Sequence, residues 1–312
     1  MADFEPRFLF LSGVGRSGTT ALRRSLGLHE QVYYNGLENN AVQDLIEVAM
    51  RNCTLPTRKR CMAIGQREYN LLFRNLIHKL IWPEDERSDR PVYMAAINPQ
   101  ANQLDYMRQV FPGCKFVSLV RNGIEVVSSR MKYPSFAAAS FSAHCQVWNR
   151  SAEVHRWASC NPEDCLILRH EWFYQPQRMN QWMLKLSNML GIEYSPLPEQ
   201  AILQSLQHPT SSRMPMGPAD FANSTIQDKK RYFQSKRERW RSWTNQQRQR
   251  FTDLCAAPMR QLGYELPWQN ESAEMTPHRL QQTEIFSDDE RNLVFPFVSQ
   301  AETQSNHLRR SA

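Results

Sequence analysis

The 312-residue chain is 41% hydrophobic and 22% charged, long enough to bury one substantial core and ordinary in charge for a globular domain. It has no apolar run near the roughly 20 residues a membrane-crossing helix needs, and Asp3 and Glu5 stand where a signal peptide would be basic. The formal net charge of +7 suits an anionic ligand; the basic residues of 229–241 carry no nucleic-acid recognition motif, so no nucleic-acid partner is expected.

In chain order, Arg7–Ser12 reads as a buried strand and Thr19–Leu28 as a helix with Leu22 and Leu26 on one face. Pro91–Ile97 is a second strand, followed by a helix carrying Leu104, Met107 and Val110 and stopped by Pro112 and Gly113. Lys115–Val120 is a third strand, leading into a helix over Asn122–Met131. Cys165–Leu168 is a fourth, leading into a helix entered at Pro176 and ended at Gly191. Strands alternating with helices predict an α/β fold: a central parallel sheet flanked by helices, three layers deep. Thr244 and Gln247 spell a capping box for a last helix ending at Gly263. Residues 1–268 are expected to form one domain, and 269–312 a polar, flexible tail. The 208–226 stretch, rich in Pro, Ser, Thr and Gly, is expected to be a loop or flap.

Ser12–Thr20 (SGVGRSGTT) joins the first strand to the first helix. A glycine-rich turn feeding a helix amino terminus aims several backbone N–H groups at one spot, and the helix dipole adds positive potential there. Arg16, Ser17, Gly18, Thr19 and Thr20 are the candidate ligands for a phosphate. Gly13 and Gly18 keep the spacing of a Walker loop, but Thr19 stands where a nucleotide hydrolase carries lysine. A second candidate phosphate site begins at the end of the third strand. Asn122 can cap the next helix, and Ser129, seven residues further on, returns over the same face beside Arg121.

Arg16–Thr20 (RSGTT), with Arg121 and Ser129 about a hundred residues later, resembles the sulfotransferase family. Leu168–Glu171 (LRHE) is similar to that family's strand-end LRYE stretch, and Ser235–Trp240 (SKRERW) to its late basic segment. The resemblance implies a P-loop-type fold and 3′-phosphoadenosine 5′-phosphosulfate as sulfuryl donor. In this likeness Arg16–Thr20 hold the 5′-phosphosulfate and Arg121 with Ser129 the 3′-phosphate, with Lys236 closing over the nucleotide. It points to the branch that holds protein-tyrosine sulfotransferases and many bacterial enzymes, where Glu38 falls at the position of the general base.

Arg16 and Glu38 are therefore the catalytic candidates. His29 is a competing base, and its place near the end of the first helix also suits a cap. Two departures stand out: His170 replaces the tyrosine of LRYE, and Ile97–Pro99 lacks the lysine of many relatives. No metal is required, because the transferred sulfuryl group carries a single negative charge that side-chain cations and N–H dipoles can stabilise. The seven cysteines lack metal-site or redox spacing and read as reduced thiols of a cytoplasmic protein.

The acceptor is open: a carbohydrate, tyrosine or small-molecule hydroxyl, or an amine, meeting the protein through 51–67, 84–90 and 205–225. Two rival functions stand beside this one, a Walker-type phosphotransferase and a non-catalytic nucleotide-binding protein of the same fold.

Overall fold

The structure, a computed structural model, describes residues 7–34, 40–54, 63–81, 90–197 and 238–271. The chain divides into two units, Met1–Leu266 and Pro267–Ala312. The described part of the second is one short helix, Pro267–Glu271.

Five parallel strands form the sheet of the first unit: β1 (Arg7–Ser12), β2 (Val32–Tyr33), β3 (Val92–Ala96), β4 (Lys115–Val120) and β5 (Cys165–Arg169). They lie in the order β2-β3-β1-β4-β5, with β1 paired to β3 (Leu9 opposite Met94) and to β4 (Ser12 opposite Ser118). β3 is buried along its whole length, as expected where helices cover both faces of a parallel sheet.

Successive strand residues face opposite layers. Phe8, Phe10, Tyr93 and Phe116 enter one core, packed by α2 (Asn40–Thr54), α3 (Gln66–Ile81), α4 (Ala101–Val110) and α6 (Phe141–Cys160). Leu9, Leu11, Met94 and Leu119 enter the other, covered by α1 (Thr19–Leu26) and α7 (Pro176–Leu190). This is the three-layer α/β architecture that the alternation of elements predicts.

The remaining helices are α5 (Gly123–Met131) and α8 (Asn245–Gln261). Asn122 caps α5 by accepting from the Ile124 N–H at 2.9 Å, and the Thr244–Gln247 capping box opens α8. Gly191, in the left-handed region at φ 60°, ends α7. The first helix is shorter than expected, closing at Leu26 with Gly27 as its C-cap and a tighter turn, Leu28 N–H to the Ser25 carbonyl, after it.

The short edge strand β2 and helices α2, α3 and α6 are unforeseen by the sequence reading. Val42, Ile46 and Ala49 in α2, and Tyr69, Ile77 and Ile81 in α3, follow the helical spacing. The buried stripe of α6 instead includes His144, Ser151 and His155, which disguises it. Among the described residues no helix is long and apolar enough to cross a membrane.

Candidate active site

The sheet order makes β1 and β4 neighbours whose connections leave toward opposite edges, so a crevice opens at their carboxyl ends. The two predicted phosphate segments line that crevice. The loop Gly13–Gly18 leaves β1, and Arg121–Asn122 leaves β4.

The loop is built for close approach. A Cβ on Gly13 would lie 2.7 Å from the Thr19 side chain, so only glycine fits. Ser17 N–H closes a turn onto the Val14 carbonyl at 3.0 Å. Gly18 takes φ 102° and caps α1, whose first backbone bond runs from Leu22 N–H to the Gly18 carbonyl. The amides of the first turn, Thr19 to Ala21, precede that bond, and the turn itself contains no acidic residue. Ser17 Oγ is buried and has no partner among the described residues. An orphaned hydroxyl, free amides and a glycine cradle fit a phosphate group.

Arg16 takes φ 81°, a left-handed conformation that costs a non-glycine residue about 1–2 kcal/mol and persists only where surrounding contacts impose it. Those contacts are on both sides of the residue. Arg121 Nη1 donates to the Arg16 carbonyl at 2.9 Å, and Arg16 Nε donates to Ser129 Oγ at 3.2 Å. The Arg16 guanidinium also lies 4.5 Å over the Tyr133 ring. Burial lowers its pKa; Tyr133 opposes that, while Arg121 and Arg239 push the same way. Arg16, Arg121 and Ser129, separated by a hundred residues of sequence, are thus in direct hydrogen-bonded contact.

Arg121 has a further commitment. Its Nε and Nη2 both donate to Glu125 Oε2, at 3.0 and 2.6 Å, and both side chains are almost fully buried. Burial pulls the Arg121 pKa down, but Glu125, with Tyr174 and Glu171 pushing the same way, leaves it raised overall. Arg121 therefore holds the loop by its backbone and carries its own counter-charge, with two guanidinium N–H groups uncommitted among the described residues.

Several residues without a foreseen role join the site. Arg239, in the 3-10 turn Glu238–Ser242, is close enough for its charge to act on Arg16. Arg130 reaches back to the Gly15 carbonyl in a long 3.5 Å contact and lies 4.0 Å over the Phe136 ring. Its place directly after Ser129 is the signal that could have found it. His170 sits against Gly18, where an added Cβ would approach its Cδ2 to 2.8 Å, so the replaced tyrosine position packs against the phosphate loop. Glu171, next to it, accepts from the Tyr264 hydroxyl at 3.1 Å, and burial raises its pKa.

His29 is structural. Its Nδ1 accepts from the Gln31 N–H at 3.1 Å and its Nε2 lies 3.1 Å from the Glu193 carbonyl, so neither nitrogen is left to take a substrate proton. Just past β3, at the position where the family resemblance implies lysine, Ile97 is buried and the Asn98 N–H donates to Gln43 Oε1 at 3.1 Å. Glu38 and Lys236 lie outside the described residues, as do the 208–226 stretch and most of the stretches expected to meet an acceptor. Among the described residues no group of three potential ligands could hold a metal ion.

A parallel sheet with a glycine-rich loop at its switch point and converging arginines defines a P-loop-type fold whose crevice suits a phosphorylated anion. The particular kind follows from comparison with known proteins: the chain belongs to the sulfotransferase family, whose model matches residues 6–196. It is 23% identical over 204 residues to a protein-tyrosine sulfotransferase of Drosophila melanogaster, covering 61% of this chain and 39% of the relative. It is 24% identical over 199 residues to protein-tyrosine sulfotransferase 1 of Danio rerio, covering 60% of this chain and 54% of the relative. The chain thus spans about two fifths to half the length of these curated relatives. In architecture it resembles the sulfotransferase domain of the Synechococcus PCC 7002 olefin synthase, with TM-score 0.50 and 17% identity over 84% of this chain and 96% of that domain. That likeness concerns the fold.

Proposed function

We propose that the protein transfers a sulfuryl group from 3′-phosphoadenosine 5′-phosphosulfate to an acceptor hydroxyl. The observation carrying this reading is the Arg121–Arg16–Ser129 contact, which joins the two phosphate motifs in one crevice. Two anionic groups on one ligand need two adjacent sites of positive potential, and a single Walker-type triphosphate does not explain the second. Thr19, standing where a Walker loop has lysine, argues against a phosphotransferase.

In this reading Ser17, Gly18, Thr19 and Thr20 bind the 5′-phosphate through their N–H and hydroxyl groups. Arg16 neutralises charge on the oxygen that leaves the sulfur. Arg121 and Ser129 serve the 3′-phosphate side, and Lys236 closes over the nucleotide. Glu38 takes the acceptor proton as the new S–O bond forms in line with the one that breaks, a role worth about 10²–10⁴ in rate. With no cation at Asn98, transition-state charge falls to Arg16 and the loop amides.

The curated relatives' names favour a tyrosine hydroxyl as acceptor, ahead of a carbohydrate or an amine. A cytoplasmic setting is proposed on cysteine spacing, and cell fractionation tests it.

The test uses labelled donor with a panel of tyrosine peptides, sugars and amines. Wild type should yield sulfated product, and Arg16→Ala and Glu38→Ala should lose most of it. Equal yields from wild type and Glu38→Ala would rule out Glu38 as the base. Turnover of Mg²⁺-ATP instead of the sulfuryl donor would favour the phosphotransferase.

A further inference from the structure

Arg130 is a buried cation that the two phosphate motifs leave unused. It is 8% exposed, and its Nε has no hydrogen-bond partner among the described residues. It forms no ion pair with any described carboxylate, unlike Arg121, which has Glu125. What holds it is the 4.0 Å stack on Phe136 and the 3.5 Å contact to the Gly15 carbonyl. The space around it is tight: a Cβ on Gly15 would lie 3.2 Å from Arg130 Nη1 and 3.3 Å from Phe136.

The buried neighbour that feels the Arg130 charge, His144, brings no negative charge. His144 is 1% exposed with neither ring nitrogen bonded among the described residues, and burial together with the field of Arg130 keeps its pKa low. A desolvated guanidinium with an open N–H and no counter-ion is costly unless an anion completes it.

The position says which anion. The 5′ end of the nucleotide belongs at the amino terminus of α1, on the Ser17–Thr20 limb of the loop. Arg130 approaches the other limb, at Gly15, from α5, the helix that carries Ser129. We infer that Arg130 is a ligand of the nucleotide's 3′-phosphate, supplying the uncompensated positive charge that Arg121, already paired with Glu125, does not. This deepens the donor reading above and rests on it.

Titration calorimetry with two nucleotides tests it, adenosine 3′,5′-bisphosphate and adenosine 5′-monophosphate, on wild type, Arg130→Met, Arg130→Lys and Phe136→Leu. A lost hydrogen bond to a charged group predicts about 10- to 100-fold weaker bisphosphate binding by Arg130→Met. Its affinity for the monophosphate should fall by a clearly smaller factor, since there it loses only the Gly15 contact. Arg130→Lys, which keeps the charge, should recover part of the loss. Phe136→Leu, which keeps the guanidinium and removes its stacking surface, should lose a smaller factor in the bisphosphate alone.

Equal losses for both nucleotides, or none for the bisphosphate, would overturn the assignment of Arg130. A wild-type protein that binds neither nucleotide would instead overturn the donor reading itself.

Discussion

Arg121→Met tests whether the junction between the two motifs is organised as the structure has it. The substitution removes two bonds to Glu125 and one to the Arg16 carbonyl, at 3.0, 2.6 and 2.9 Å. It strands a carboxylate whose side chain is 7% exposed. Breaking a buried pair from one side costs about 3–5 kcal/mol, because the remaining charge is neither solvated nor paired. For a domain of this size each kcal/mol shifts the melting temperature by about 2–4 °C, so a fall of roughly 6–20 °C is expected.

Adding Glu125→Leu removes the stranded charge and should restore most of the stability, since an apolar pair of similar volume often replaces a buried ion pair without loss. The double variant still lacks the donor that fixes the Arg16 carbonyl, so its affinity for adenosine 3′,5′-bisphosphate should stay low. Circular-dichroism melts give the first quantity and calorimetry the second. If Arg121→Met melts with wild type, or the double variant is no more stable than the single one, the burial argument is wrong.

Three further expectations follow from the same geometry. Glu171 has a folded pKa raised by burial, so the native state holds its proton above the unfolded value of 4.5, and its contribution to stability is lost as pH climbs through the folded value; Glu171→Gln should therefore be more stable than wild type at pH 7–8 and match it in acid, checked by denaturant melts across pH. Gly18→Ala meets both a φ of 102° and a 2.8 Å approach to His170; it should lose at least about 1 kcal/mol in denaturant unfolding, and nucleotide affinity with it. Gly123→Ala would push a methyl to 2.8 Å from the Trp148 ring, so overpacking should cost about 1–3 kcal/mol by the same measurement.

Much of the site was legible in the chain because its parts are local. A glycine's freedom at positive φ, a strand running into a helix and a serine two turns beyond a capping asparagine are all set within about ten residues. Gly18 and Asn122 occupy those roles in the structure. Helices α2 and α3 escaped notice although their apolar spacing is regular, and α6 because polar residues fill its buried face. His29 shows the reverse: the sequence left it open as base or cap, and its two bonds to distant and local backbone decide for a structural role.

What the sequence by itself determined was the alternation of elements, the loop able to cradle an anion and the pair of segments that mark the family. Only the tertiary structure decided which cations are spent and which stay available. Arg121 and Arg130 have the same chemistry and stand nine residues apart, yet one is paired with Glu125 and the other is stacked on Phe136 with an Nε that finds no partner among the described residues. The physical reason is that counter-charge and desolvation depend on which side chains packing brings within a few ångströms, and no local pattern specifies that.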